Sequence, residues 1–97
     1  MAAHLAGAIA AHSIRPVIGI PIESGGMGGI DSLLSTAMMP PGVPVATVAV
    51  GKSGAKNSAI LAVQILATYN ETLSNKLLDY RNNMKEEVLK KDKALNS

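Results

Sequence analysis

Sixteen side chains in this 97-residue chain carry charge, and only five of them fall within the first 69 residues. Those five are Arg15, Glu23, Asp31, Lys52 and Lys56; the other eleven crowd into residues 70–97. A long stretch with so few charges is not an ordinary solvated surface. Most of it must be buried, part of it against other chains. The chain has no Phe, Trp or Cys and only two Tyr, so a core must be built from Ala, Val, Ile, Leu and Met. A small domain of that composition, with neither disulfides nor a structural metal, struggles to bury enough surface alone. Association into an oligomer is the expected remedy.

The apolar pattern fixes the order of elements. Residues 3–13 are Ala-rich, with Leu5, Ile9 and His12 at helical spacing, and Arg15-Pro16 ends the helix. Val17 to Ile22 is an unbroken apolar run between prolines, as expected of a strand buried on both faces. A glycine-dense loop, Gly25-Gly26-Met27-Gly28-Gly29, follows it. Asp31 or Ser32 is then expected to cap a short helix through Leu33, Leu34 and Met38, stopped by Met39-Pro40-Pro41-Gly42. Val43 to Val50 is a second strand-like run, and Gly51 to Gly54 reads as a turn. A helix from about Ala55 to Ala67 is apolar nearly all round, which predicts burial on more than one side. The last helix, over 70–90, has a stripe at Leu73, Leu77, Tyr80, Met84 and Val88 with charges opposite.

This alternation implies an α/β fold with parallel strands and right-handed crossovers. Two strands do not make a stable parallel sheet with helices on both faces, so the pattern looks like the second half of a doubly wound domain. Residues 1–69 form that half-domain. Residues 70–97 form an amphipathic helix and tail whose stripe suits packing on a neighbouring subunit.

Several functions are set aside. The net charge of +2 is spread over a mixed-charge tail, and two Tyr leave little for base stacking, so a nucleic-acid partner is not expected. No apolar run reaches membrane-spanning length and no basic segment opens a signal peptide. The lack of Cys suits a reducing cytoplasm. Two His and no Cys supply too few ligands for a metal cluster. Gly51-Lys52-Ser53 looks like the end of a phosphate-binding loop, but position 46 is Ala where that loop needs Gly. The Gly25–Gly29 loop does not fit a dinucleotide fingerprint, since position 31 is Asp; it is either a tight turn or a substrate-facing loop. Ser24, Ser32, Ser35 and Ser53 lack the setting of a hydrolase nucleophile. His12, near a helix end, is expected to contact terminal carbonyls.

His4 is different. Ala2-Ala3-His4-Leu5 has the composition of a loop that follows a buried strand, and an imidazole at the carboxyl end of a parallel strand is well placed for acid–base work. The blocks around it accumulate. His4-Leu5-Ala6-Gly7, Pro16 to Pro21, Asp31-Ser32-Leu33-Leu34-Ser35, and Met39-Pro40 with Gly42 through Ala49 form one set. Gly51 through Ala59 and the Ala-Val-Gln-Ile-Leu-Ala run at 62–67 complete it. Together they resemble the 5-(carboxyamino)imidazole ribonucleotide mutase family of purine biosynthesis, also called the catalytic subunit of phosphoribosylaminoimidazole carboxylase. The likeness covers residues 2–90.

The resemblance implies a flavodoxin-like three-layer αβα fold, a homo-octamer, and an aminoimidazole ribonucleotide substrate. It implies an intramolecular carboxylate transfer without metal or organic cofactor. His4 falls on the family's proton-shuttling histidine, and Ala3 and Leu5 on neighbours whose backbone lines the substrate base. Ala6 stands where the family commonly has Pro. The family's Gly-Ser-x-Ser-Asp and Ser-Ala-His-Arg segments, which hold ribose and phosphate, have no counterpart here. The chain is therefore expected to be a C-terminal portion, inactive by itself. Direct carboxylation by carbon dioxide and a non-catalytic oligomerisation module are the alternatives.

Overall fold

The computed structural model describes residues 5–23 and 29–96. Its elements run α1 (Leu5–Ala11), β1 (Ile18–Gly19), α2 (Ile30–Ala37), β2 (Ala46–Thr47), α3 (Gly51–Ala67) and α4 (Glu71–Asn96). The order is the one the apolar pattern predicts. The chain forms two compact units, Met1–Ala62 and Val63–Ser97, and the division falls within α3.

In the first unit β1 and β2 lie parallel, with Ile18 opposite Ala46 and Gly19 opposite Thr47. The apolar runs of six and eight residues thus yield only two ladder-paired residues each. The physical reason is partnership. A parallel strand is held by ladder bonds on its two edges, and each of these strands has one neighbour among the described residues. Bonds at the two ends of the ladder hold the segments together. The Ala46 amide donates to the Val17 carbonyl at 2.9 Å, and the Gly51 amide to the Pro21 carbonyl at 2.8 Å.

Small residues let the helices close on this pair. A Cβ placed on Gly19 would lie 2.6 Å from Thr36 Cγ2, 3.0 Å from Val45 Cγ1 and 3.3 Å from Ala6 Cβ. α1, α2 and the approach to β2 therefore converge on Gly19, and any side chain there would push them apart. Yet Val45 is the one buried hydrophobic residue among those described. Ile14, Ile20, Ile22, Ile30, Leu34 and Met38 remain exposed.

The second unit is helical. Asn70 caps α4, its Oδ1 accepting the Leu73 amide at 3.1 Å. Ser74 Oγ donates to the Ala67 carbonyl at 2.9 Å, fixing the turn between α3 and α4. Leu73, Leu77 and Tyr80 are half-buried, as the stripe predicts, whereas Met84 and Val88 are exposed. The end of α3 departs from expectation too: Ile65 and Leu66 are exposed rather than buried on several sides. Periodicity reports which faces are apolar, and these apolar positions are not covered by the described residues. No helix among the described residues is long and apolar enough to cross a membrane.

Candidate functional site

In a parallel α/β sheet the carboxyl ends of the strands open into loops that face ligands, because the helix N-termini that follow present unpaired amides there. The described part of that edge is built from Pro21, Ile22 and Glu23 after β1, Gly29 at the start of α2, and Val48 through Gly54 after β2.

Its backbone is irregular at one point. The ladder register would bring the Val50 amide to the Pro21 carbonyl, but Gly51 makes that bond. One extra residue is taken up on the second strand where Ala49 has φ +142°, a region L-residues rarely adopt. This bulge delivers the chain directly into α3. Gly51 to Gly54, expected as a turn, is the first turn of the helix. Gly54 is there for space: a Cβ on it would run into the Ala49 carbonyl. Its absence lets the helix start flush against the strand end.

Gly29 does the corresponding work for α2. It is the N-cap, left-handed at φ +81°, and no side chain among the described residues caps the helix. A Cβ on Gly29 would also lie 2.6 Å from Val50 Cγ1, so the two strand-to-helix connections are in contact. Asp31 lies in the first turn of α2, where its charge complements the helix dipole without capping it. Ser32, also expected as a cap, turns the other way. Its buried Oγ donates to the Ile22 carbonyl at 2.7 Å, and its own carbonyl accepts from Thr36 Oγ1 at 2.8 Å. Ser32 thereby pins the exit from β1 to the first turn of α2. A serine that bonds ten residues back leaves no local spacing signal, so sequence reasoning missed it.

The residues singled out from the sequence are distributed unevenly. Leu5 opens α1 and is 69% exposed, beside Ala6, which packs against Gly19. Ala3 and His4 lie outside the described residues, as do Ser24 and most of the Gly25–Gly29 loop. Ser35 and Ser53 are exposed. The amide of His12 donates to the Ile9 carbonyl at 3.1 Å, closing the end of α1 with its backbone, and its side chain lines an open hollow with Ser13 and Arg15. No group of three or more His, Asp or Glu that would hold a metal ion occurs among the described residues. In the second unit a groove of about 460 Å³ runs along Gln64, Thr68, Leu77, Leu78 and Arg81.

Comparison with known proteins places this edge in a lineage. Residues 1–87 match the family model described as AIR carboxylase. The chain is 51% identical over 88 residues to the N5-carboxyaminoimidazole ribonucleotide mutase of Escherichia coli K12, covering 91% of this chain and 52% of that protein. It is 50% identical over 94 residues to the mutase of the same name from Bacillus subtilis, covering 97% and 58%. It is 54% identical over 84 residues to that of Pyrococcus abyssi, covering 87% and 47%. The chain spans about half the length of these relatives, and it belongs to the AIR carboxylase family.

Proposed function

We propose that this chain carries the proton-transferring part of a carboxylate-transfer site. The reaction is the conversion of 5-(carboxyamino)imidazole ribonucleotide to 4-carboxy-5-aminoimidazole ribonucleotide in purine biosynthesis. The observation that carries the reading is identity at about half of the aligned positions to three mutases, over most of the chain. Those names favour the mutase reaction over direct carboxylation and over an oligomerisation module without chemistry.

The chemistry needs only proton transfer and enclosure. The bond from the exocyclic nitrogen to its carboxylate breaks, and the released carbon dioxide stays in a closed pocket. The ring carbon then forms a new bond to it. The nitrogen gains a proton and the ring carbon loses one, so the step balances without an oxidant or reductant. His4 is assigned that transfer: its imidazole protonates the departing nitrogen and later accepts the ring proton. A group with an unperturbed pKa of about 6.5 serves both directions near neutrality. Ala3 and Leu5 line the base with their backbone. No metal or organic cofactor takes part.

Ribose and phosphate contacts come from outside these 97 residues, which contain neither Gly-Ser-x-Ser-Asp nor Ser-Ala-His-Arg. The same reading assigns the chain to a flavodoxin-like three-layer domain within a cytoplasmic homo-octamer. The exposed Ile14, Ile20, Ile22 and Ile30 support burial by neighbouring subunits. Residues 1–69 belong to the mutase domain, and residues 70–97 pack on a neighbour.

The test is substrate conversion followed by absorbance, for the chain alone and mixed with a polypeptide bearing the two missing segments. Little turnover is expected alone, and turnover on mixing. His4→Asn in the mixture is expected to lose about 10²–10⁴-fold in rate, with unchanged sedimentation. Undiminished turnover by that variant removes His4 from the mechanism. Failure of every mixture removes the mutase reading.

A further inference from the structure

The distal half of α4 carries a charge pattern that the proposed chemistry does not use. From residue 85 to 92 it reads Lys-Glu-Glu-Val-Leu-Lys-Lys-Asp. About its centre, between Val88 and Leu89, each charge mirrors one of opposite sign: Glu87 with Lys90, Glu86 with Lys91, Lys85 with Asp92. Within the chain these charges go unused. Among the described residues none of them forms an ion pair, not even Glu87 with Lys91 one turn on. Asp92 accepts only a neutral bond, from Asn96 Nδ2 at 3.0 Å.

An apolar stripe runs between them. At about 100° per residue, Met84, Val88 and Leu95 fall within roughly 40° of one another on the helix surface. They are 47%, 65% and 85% exposed. Lys85 and Asp92 flank that stripe on one side, and Glu87 and Lys91 on the other. When two helices face each other antiparallel, like sides meet. The one side then brings Lys85 to Asp92 of the other copy, and the other brings Glu87 to Lys91, each pair occurring twice by symmetry.

We infer that the distal half of α4 is an assembly surface that pairs antiparallel with the same segment of a second copy of this chain, with Val88 beside the twofold axis. Met84 then approaches Leu95 of the second copy, and four ion pairs border the apolar seam. The contact is weak and salt-sensitive, as solvent-exposed pairs are. The match to the family model ends at residue 87, so Val88, Lys91, Asp92 and Leu95 lie beyond it. The pairing stands independently of the catalytic reading, since it requires no turnover.

The chain has no cysteine, so engineered thiols report without background. Val88→Cys is expected to form a disulfide-linked dimer on mild oxidation at low salt, because the two copies of position 88 lie about 1.5 Å apart along the seam. Met84→Cys is expected not to, since its two copies are about 13 Å apart along it. Lys85→Glu in the Val88→Cys background is expected to cut the dimer yield several-fold, and adding Asp92→Lys to restore it. Positions 85 and 92 are about 10 Å apart on one helix, so the rescue reads contact between copies. Circular dichroism keeps helix content as the control. Equal cross-linking at 84 and 88 means parallel pairing and overturns the inference. So does absence of cross-linking at 88, or a Lys85→Glu variant that Asp92→Lys does not rescue.

Discussion

The two units solve the same problem with opposite means. In Met1–Ala62 the chain closes through backbone proximity: Gly19 under Thr36 and Val45, Gly29 against Val50, Gly54 on the Ala49 carbonyl. In Val63–Ser97 it closes through side chains: Asn70 on an amide, Ser74 on a carbonyl, and a stripe of Leu73, Leu77 and Tyr80. The first unit has almost no charge to hold water and leaves eight large apolar residues exposed among the described ones; the second is studded with charge. A unit built by backbone proximity tolerates no added atom at its contacts. One built by side chains loses a graded amount for each group removed.

The sharpest way to break this comparison is Gly54→Ala. In an exposed helix the exchange stabilises by about 1 kcal/mol. Here the new methyl meets a backbone carbonyl that cannot rotate away. The expected outcome is a loss of about 3 kcal/mol, read from the shift of a urea unfolding midpoint. A neutral or stabilising result would show that α3 does not start against Ala49. Gly29→Ala comes next, at about 2 kcal/mol, from a left-handed φ combined with the Val50 contact. Because Val50 offers a side chain and not backbone, Val50→Ala in the same chain should return the steric part and leave the φ part. Full additivity of the two substitutions would deny the contact.

These positions also mark where the sequence stopped being legible. Element order was readable because alternating apolar runs, prolines and a helical stripe are local signals. The start of α3 was not, because a Gly-Lys-Ser-Gly run looks like a turn until the Ala49 carbonyl is seen to demand a glycine inside a helix. The cap of α2 was misread for a similar reason. Asp31 and Ser32 have the right chemistry for capping, but Gly29 already turns the chain, and Ser32 is committed to Ile22 ten residues earlier. Strand length failed because apolar runs record what avoids water, not how many partners are present to pair. As for the site, a lone imidazole has no spacing partner, so His4 stood out through resemblance of ordered blocks and not through geometry. Leu5, next to it, is the first residue of α1.

On the side-chain half of the comparison, Asn70→Ala should cost about 1 kcal/mol, the value of a helix cap. Its effect should be confined to the second unit, seen as faster amide exchange in the first turn of α4. Faster exchange spread into β1 or β2 would contradict the division of labour between the units.

The smallest effect separates the two means within a single residue type. Ser32 and Ser74 both satisfy their hydroxyls on distant carbonyls. Ser58 does not: it is buried at 6% exposure in α3, and its Oγ has no hydrogen-bond partner among the described residues. An unpaired buried hydroxyl costs free energy that a methyl does not, and Ala is the better helix former. Ser58→Ala should therefore stabilise the chain by about 0.5–1 kcal/mol, whereas Ser32→Ala should destabilise it by a similar or larger amount. Paired urea titrations of the two variants decide the matter. If Ser58→Ala instead destabilises, the hydroxyl has found a partner in the assembled protein, and the α3 face that carries Gly54 and Ser58 is completed by a second chain.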